Sequence, residues 1–269
     1  MDNFPAHIHN ENQQMKQLVQ NLLGKLGYAI RRTSTLRGHN PGSVTRPIGV
    51  LELFLEDIRA RGFTPRGIID VGAHRGDWTR TALIIFPQTP VILIEPQDEM
   101  EPFLSELIKT VPNCHWVQAG AGRKSGELVQ TIWEDYAGSS FLPEVNADLL
   151  RSGKQRKTKI VTLDYLLTDT YPQFVPDLVK LDIQGYELEA LSGADTLFGR
   201  TEIFILEVSL FEFMPRQPIA RGMISFMSAR GYELYDIPGF SRRPHDGALG
   251  QMDLAFVKSA GFFRKVTEW

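Results

Sequence analysis

The stretch GIIDVGAHRGDWTRTALIIFP, Gly67 to Pro87, decides how this chain folds. A short apolar run, Ile68 to Val71, carries an acid, Asp70, near its end. Gly72 and Gly76 follow, and Asp77 to Phe86 has the composition of a helix. Strand, glycine turn and helix in this order are the start of a parallel α/β unit. Glycine stands where a side chain would block a close approach to the backbone.

The same alternation continues on both sides. Upstream, Val50–Gly62 carries Leu51, Phe54, Leu55 and Ile58 on one helical face. Downstream, strands are expected at 90–96, 114–122, 158–162, 176–185, 201–209, 232–238 and 252–259, and a strand or hairpin arm at 126–135. Helices are expected at 98–111, 186–198 and 220–231. The runs IIDV, VILIE, LVKLDI and IFILEV read as strands buried on both faces. The expected fold is α/β, a doubly wound, mostly parallel sheet. Met15, Leu18, Val19, Leu22, Leu23 and Leu26 recur at helical spacing, and Thr33–Gly49 reads as a linker or a long ordered loop. Residues 1–46 are therefore expected as an N-terminal helical extension and linker, and 47–269 as the main domain. The apolar stripe of the extension suits packing on the main domain or on a partner subunit of a homo-oligomer. Lys16, Lys25, Arg31 and Arg32 also allow a peripheral membrane contact.

Composition narrows the class. The 269 residues are 42% hydrophobic and 23% charged, enough to bury a sizeable core. The net charge of −3 argues against a nucleic-acid binder. The lone cysteine, Cys114, cannot form an internal disulfide and reads as a packing residue, so a cytoplasmic location is the default. No apolar run approaches the roughly 20 residues of a membrane span.

In an open parallel sheet, ligands bind beyond the carboxyl ends of the strands. Asp70, Glu95, Asp182 and Glu207 all fall at that edge. Carboxylates gathered there repel one another unless a ligand rich in hydroxyl or cationic groups uses them. Neither G-x-G-x-x-G nor G-x-x-x-x-G-K-[ST] is present, so nothing marks a pyrophosphate site. Backbone at Gly72–Gly76 facing an amino-acid moiety, with Glu95 accepting from both hydroxyls of a ribose, suits S-adenosylmethionine. Asp70 would orient the turn.

The segments IIDVGAHRGDWTRTA, VILIEPQ, VTLDYLL and above all LVKLDIQGYELEALSGA, together with the closing MDLAFVK, resemble the FkbM-type S-adenosylmethionine-dependent methyltransferases. The resemblance implies a Rossmann-like class I methyltransferase sheet of seven strands with one antiparallel edge strand. It implies O-methylation of a carbohydrate or a glycosylated small molecule. By position it implies a donor site at Asp70, Gly72, Ala73, His74, Gly76, Glu95 and Pro96, joined by Ala119, Gly120, Ala121, Ser139 and Ser140. Two residues depart from the family pattern, His74 for Asn and Gln184 for Glu.

A hydroxyl acceptor must lose a proton, to a base or with help from a metal. Asp182, at the end of a central strand, is the first choice of base; Gly185 lets the next turn bend and Glu187 would brace it. Asp182 and Glu207 together would suit Mg²⁺. His245, in a loop before the last strand, is a second candidate base on the acceptor side. Arg151, Lys154, Arg156, Lys157 and Lys159, and the pair Arg242 and Arg243, read by default as solvated charge. The alternative is a contact to phosphate on a nucleotide-linked, lipid-linked or phosphorylated glycan. An NAD-linked oxidoreductase and a non-catalytic binding module on the same sheet are the competing functions.

Overall fold

The computed structural model describes residues 44–268. The expected N-terminal helix lies outside them. Residues 46–269 form one compact unit.

Elements follow in the order α1 (Leu51–Ala60), β1 (Ile68–Val71), α2 (Asp77–Ile85), β2 (Val91–Ile94), α3 (Glu101–Thr110), β3 (Cys114–Val117), β4 (Gly120–Ala121), β5 (Gly126–Thr131), α4 (Ala147–Arg151), β6 (Gln155–Val161), α5 (Leu163–Tyr165), β7 (Leu178–Leu181), α6 (Glu187–Leu191), β8 (Ile203–Ser209), α7 (Ala220–Ser228), β9 (Tyr232–Arg242) and β10 (Leu249–Lys258). Seven strands make the main sheet, in the order β3-β2-β1-β7-β8-β10-β9. The pairs β3·β2, β2·β1, β1·β7 and β7·β8 are parallel. β10 runs antiparallel to both β8 and β9. The antiparallel strand is thus second from the edge, not the edge strand expected.

Alternate residues of the central strands feed two separate cores. Ile69, Val71, Ile92, Ile94, Val179, Leu181, Phe204 and Leu206 face one, under Leu163, Leu191 and Met227. Ile68, Val91, Leu93, Leu178, Ile203 and Ile205 face the other, under Phe54, Ala82 and Leu104. This two-faced burial is why those strands read as unbroken apolar runs. Cys114 is buried in the second core, where burial pushes its thiol up to about 11. It behaves as the packing residue expected.

Two expectations change. The segment 120–161 builds a small second sheet, β4-β6-β5, so the basic run is largely strand. Much of its charge is paired. Arg156 meets Glu99 at 2.8 Å, Lys154 meets Glu134 at 3.8 Å and Lys157 meets Glu127 at 3.9 Å. The expected loop before the last strand is instead a long β9–β10 hairpin, with only 243–248 as its turn. Its lower apolar content hid the strands, because this end of the sheet is only partly covered.

Candidate functional site

The strand order reverses between β1 and β7, and a cleft lies beyond their carboxyl ends. The cleft is lined from β1 and its turn by Val71, Gly72 and His74, and from β2 by Ile94, Glu95, Pro96 and Gln97. Ala119, Gly120, Ala121, Ser139 and Phe141 wall one side, and Asp182, Ile183 and Gln184 enter from β7.

The glycine turn is tight for a visible reason. Gly72 has φ +77°, and a Cβ there would lie 1.9 Å from the Asp182 carbonyl oxygen. Gly76, at φ +79°, opens α2, and a Cβ would lie 2.8 Å from Leu107 Cδ2. Both backbones sit in the left-handed region that glycine adopts without strain. His74 also has a positive φ, +47°, and its backbone N–H donates to Glu95 Oε2 at 2.9 Å.

Glu95 is 3% exposed. Its Oε1 accepts from the Gln97 backbone N–H at 3.0 Å and from Gln97 Nε2 at 3.2 Å. Burial pushes its carboxyl up, while those backbone donors pull it back. A carboxylate offers about four acceptor positions. Three are used, so Oε2 keeps one. Two further polar atoms at this cleft are buried without a partner, Gln97 Oε1 and His74 Nε2. Burial also holds the His74 imidazole below its usual range, favouring the neutral ring. Unpartnered buried polar atoms are uncommon and call for a ligand or water.

Asp70 is not at the cleft surface. It is fully buried beneath it, accepting from Thr79 Oγ1 at 2.7 Å and lying 3.1 Å from Lys180 Nζ. Lys180 also donates to the Gly72 carbonyl at 2.8 Å and stands 3.7 Å from Asp182 Oδ2. Burial opposes the Lys180 charge, but Asp70 and Asp182 outweigh it and raise its pKa. One ammonium therefore ties the acid of β1, the glycine turn and the acid of β7. The sequence reading missed Lys180, taking LVKLDI as purely apolar; a lysine at that position was the available signal.

Beyond β7 the chain turns sharply through Gln184 (φ +55°) and Gly185 (φ +93°). Buried Glu187 braces this turn, as expected, its Oε1 accepting from the N–H groups of Ile183 at 2.8 Å and Gly185 at 3.2 Å. Burial lifts its carboxyl to about 7. Gln184 Nε2 donates to Asp182 Oδ1 at 2.9 Å and to Glu207 Oε2 at 3.0 Å. Burial, then Asp182 beside it, pushes Glu207 up to about 10, so it is neutral near pH 7.

A model of the methyltransferase FkbM domain matches residues 70–234. The chain belongs to the FkbM methyltransferase family. The methyltransferase sdnD of Sordaria araneosa is 26% identical over 155 residues, covering 48% of this chain and 60% of that protein. The chain thus matches less than two thirds of that relative's length. Among solved structures, the 1,6-didemethyltoxoflavin N1-methyltransferase of Burkholderia thailandensis aligns at TM-score 0.44 and 11% identity, over 96% of this chain and 92% of its own. The precorrin-6y C5,15-methyltransferase of Geobacter metallireducens aligns at 0.41 and 13%, over 77% and 87%. At such scores these likenesses say nothing of the substrate.

In this member of the FkbM family, Gly72, His74, Glu95, Pro96, Ala119, Gly120, Ala121, Ser139 and Asp182 line one cleft. Ala73, Gly76 and Ser140 shape it from behind; Ser140 Oγ donates to the Gln184 carbonyl at 2.9 Å. Gln97, Gln130 and Tyr136 also line it and were not foreseen. Glu207 lies behind Gln184 and does not line the cleft. His245 is exposed in the β9–β10 turn and does not line the cleft. Among the described residues no group of three or more His, Cys, Asp or Glu is placed to hold a metal, and no helix is long and apolar enough to cross a membrane. The methyltransferase membership also displaces the oxidoreductase alternative.

Proposed function

We propose that this methyltransferase uses S-adenosylmethionine and transfers the methyl group to a hydroxyl of a carbohydrate or a glycosylated small molecule. The observation that carries the donor reading is the acceptor pair at the end of β2. Glu95 Oε2 has one position left, and Gln97 Oε1 is buried without a donor. Two acceptors on neighbouring residues that line the cleft match the two hydroxyls of a ribose. This revises the sequence reading, in which Glu95 alone took both. Gly72, Asp182 and Ile183 then face the amino-acid end, and Ala119–Ala121 with Tyr136 the adenine.

The donor supplies an electrophilic methyl group on a sulfonium. The residues of this chain must hold an acceptor oxygen in line with it and remove the hydroxyl proton. Alignment can lower the barrier by about 7–11 kcal/mol at best. Asp182, which lines the cleft together with Glu95, takes the proton from the acceptor oxygen. The buried Lys180 ammonium stands 3.7 Å from Asp182 Oδ2 and holds that carboxyl at the end of β7. Phe141 on the wall offers an apolar face for a sugar ring.

Calorimetry with S-adenosylhomocysteine, followed by transfer of a labelled methyl group to a panel of glycans and glycosylated metabolites, tests the proposal. Nucleoside binding with label in an O-methyl ether supports it. Label appearing on nitrogen or carbon would replace the acceptor class, and absence of nucleoside binding would remove the donor.

A further inference from the structure

We propose that Gln184 is a positioning residue: its side-chain amide takes the place of a cation between Asp182 and Glu207 and closes this acidic edge to divalent metals. Asp182 follows β7 directly and Glu207 lies in β8, whose register with β7 pairs Leu181 with Leu206. The two carboxyl groups are therefore neighbours across two parallel strands. Neighbouring carboxylates supply the hard oxygen ligands that Mg²⁺ and Mn²⁺ prefer. Here the two carboxyl groups already touch through a hydrogen bond, and the Gln184 amide bridges them. The Gln184 amide spends one N–H on Asp182 Oδ1 at 2.9 Å and the other on Glu207 Oε2 at 3.0 Å. An amide nitrogen has two donors, so none is left over.

The amide is held there by its backbone. Its carbonyl accepts from Ser140 Oγ at 2.9 Å, its φ is left-handed, and Glu187 pins the N–H groups of Ile183 and Gly185 on either side. The remaining charge is balanced from within the chain, because Lys180 stands beside Asp182 on the side away from Gln184. A metal entering between the acids would have to eject a pinned amide and approach a buried ammonium. Asp253, opposite Glu207 on β10, adds no open ligand: a Cβ on Gly239 would lie 2.1 Å from its Oδ2, so the carboxylate is packed against that backbone. The arrangement fixes Asp182 with one oxygen toward the amide and the other toward Lys180. Only the role of Asp182 as proton acceptor rests on the proposed function; the cation argument is independent of it.

Mn²⁺ titration followed by electron paramagnetic resonance, with the full chain and S-adenosylhomocysteine present, tests this. The wild type is expected to show no saturable site up to about 1 mM, the weak end of protein sites for hard divalent cations. Gln184→Glu places a third carboxylate between the two and is expected to create one site, at least tenfold tighter, that Glu207→Gln in the same chain removes. A one-site Mn²⁺ isotherm in the wild type, lost in Glu207→Gln, would overturn the proposal. So would a folded Gln184→Glu variant whose Mn²⁺ response matches the wild type. If that variant fails to fold, the wild-type titration decides alone. Lack of nucleoside binding would count against the donor assignment and leave the Mn²⁺ result standing.

Discussion

Lys180 shows how much one side chain organises. Its ammonium is buried and shared among Asp70, the Gly72 carbonyl and Asp182. Removing one partner of a buried ion pair typically costs about 3–5 kcal/mol, because the other charge is left uncompensated. Lys180→Met should lower stability by that order in urea melts, and adding Asp70→Leu to it should recover part of the loss. A Lys180→Met variant as stable as wild type would show that Asp70 is held by Thr79 alone. Glu95→Ala should weaken S-adenosylhomocysteine binding by about 1.5–3 kcal/mol, roughly tenfold to over a hundredfold. Asp182→Asn should abolish transfer and leave nucleoside affinity within a few fold; a collapse of affinity would make Asp182 a donor ligand. At this scale the sequence was only partly legible. Glu95 and Asp182 could be placed because a strand end fixes where its last residue points. Lys180 and Gln97 could not, because their roles depend on partners set by strand register and by a turn.

The turn after β1 is an element whose shape is dictated by what it must fit against. Gly72 and Gly231 share a left-handed backbone, φ +77° and +79°. They differ in surroundings: a Cβ on Gly72 would strike the Asp182 carbonyl, whereas nothing lies within 4 Å of one on Gly231. Gly231→Ala should therefore cost only the backbone term, about 1–2 kcal/mol. Gly72→Ala should cost more and abolish nucleoside binding, since β1 and β7 must part to admit the methyl group. Equal melting temperatures for the two variants would contradict this. Elements buried on both faces were read correctly, because burial leaves a continuous apolar record. The small β4-β6-β5 sheet and the full length of the β9–β10 hairpin were not, because β5 and the end of β9 are exposed and β6 mixes charged with buried residues.

Over the whole molecule, acids on α6, β8 and β10 are largely buried, and the fold holds their protons to higher pH than the unfolded chain does. Burial lifts Asp253 to about 6, Glu187 to about 7 and Glu207 to about 10. The unfolded chain releases these protons near pH 4. The native state therefore holds protons the unfolded state has lost, and stability is fully present below that pH and falls as pH rises through 6, 7 and 10. Each retained proton contributes a slope of at most about 1.4 kcal/mol per pH unit. Melting temperature should fall from mildly acidic to alkaline buffer, and Glu207→Gln should flatten the limb above neutrality. A profile that rises across that range would mean these acids are ionised in the fold. The α/β class and its edge were legible because alternation and burial are local properties. The position of β10 within the sheet, and the placement of His245 away from the cleft, belong to long-range packing that spacing does not encode.

The most direct test of the site is a crystal structure with S-adenosylhomocysteine. The ribose hydroxyls should donate to Glu95 and Gln97, with the sulfur facing Asp182. A nucleoside lodged away from the ends of β1, β2 and β7, or a ribose out of hydrogen-bond reach of both Glu95 and Gln97, would contradict it.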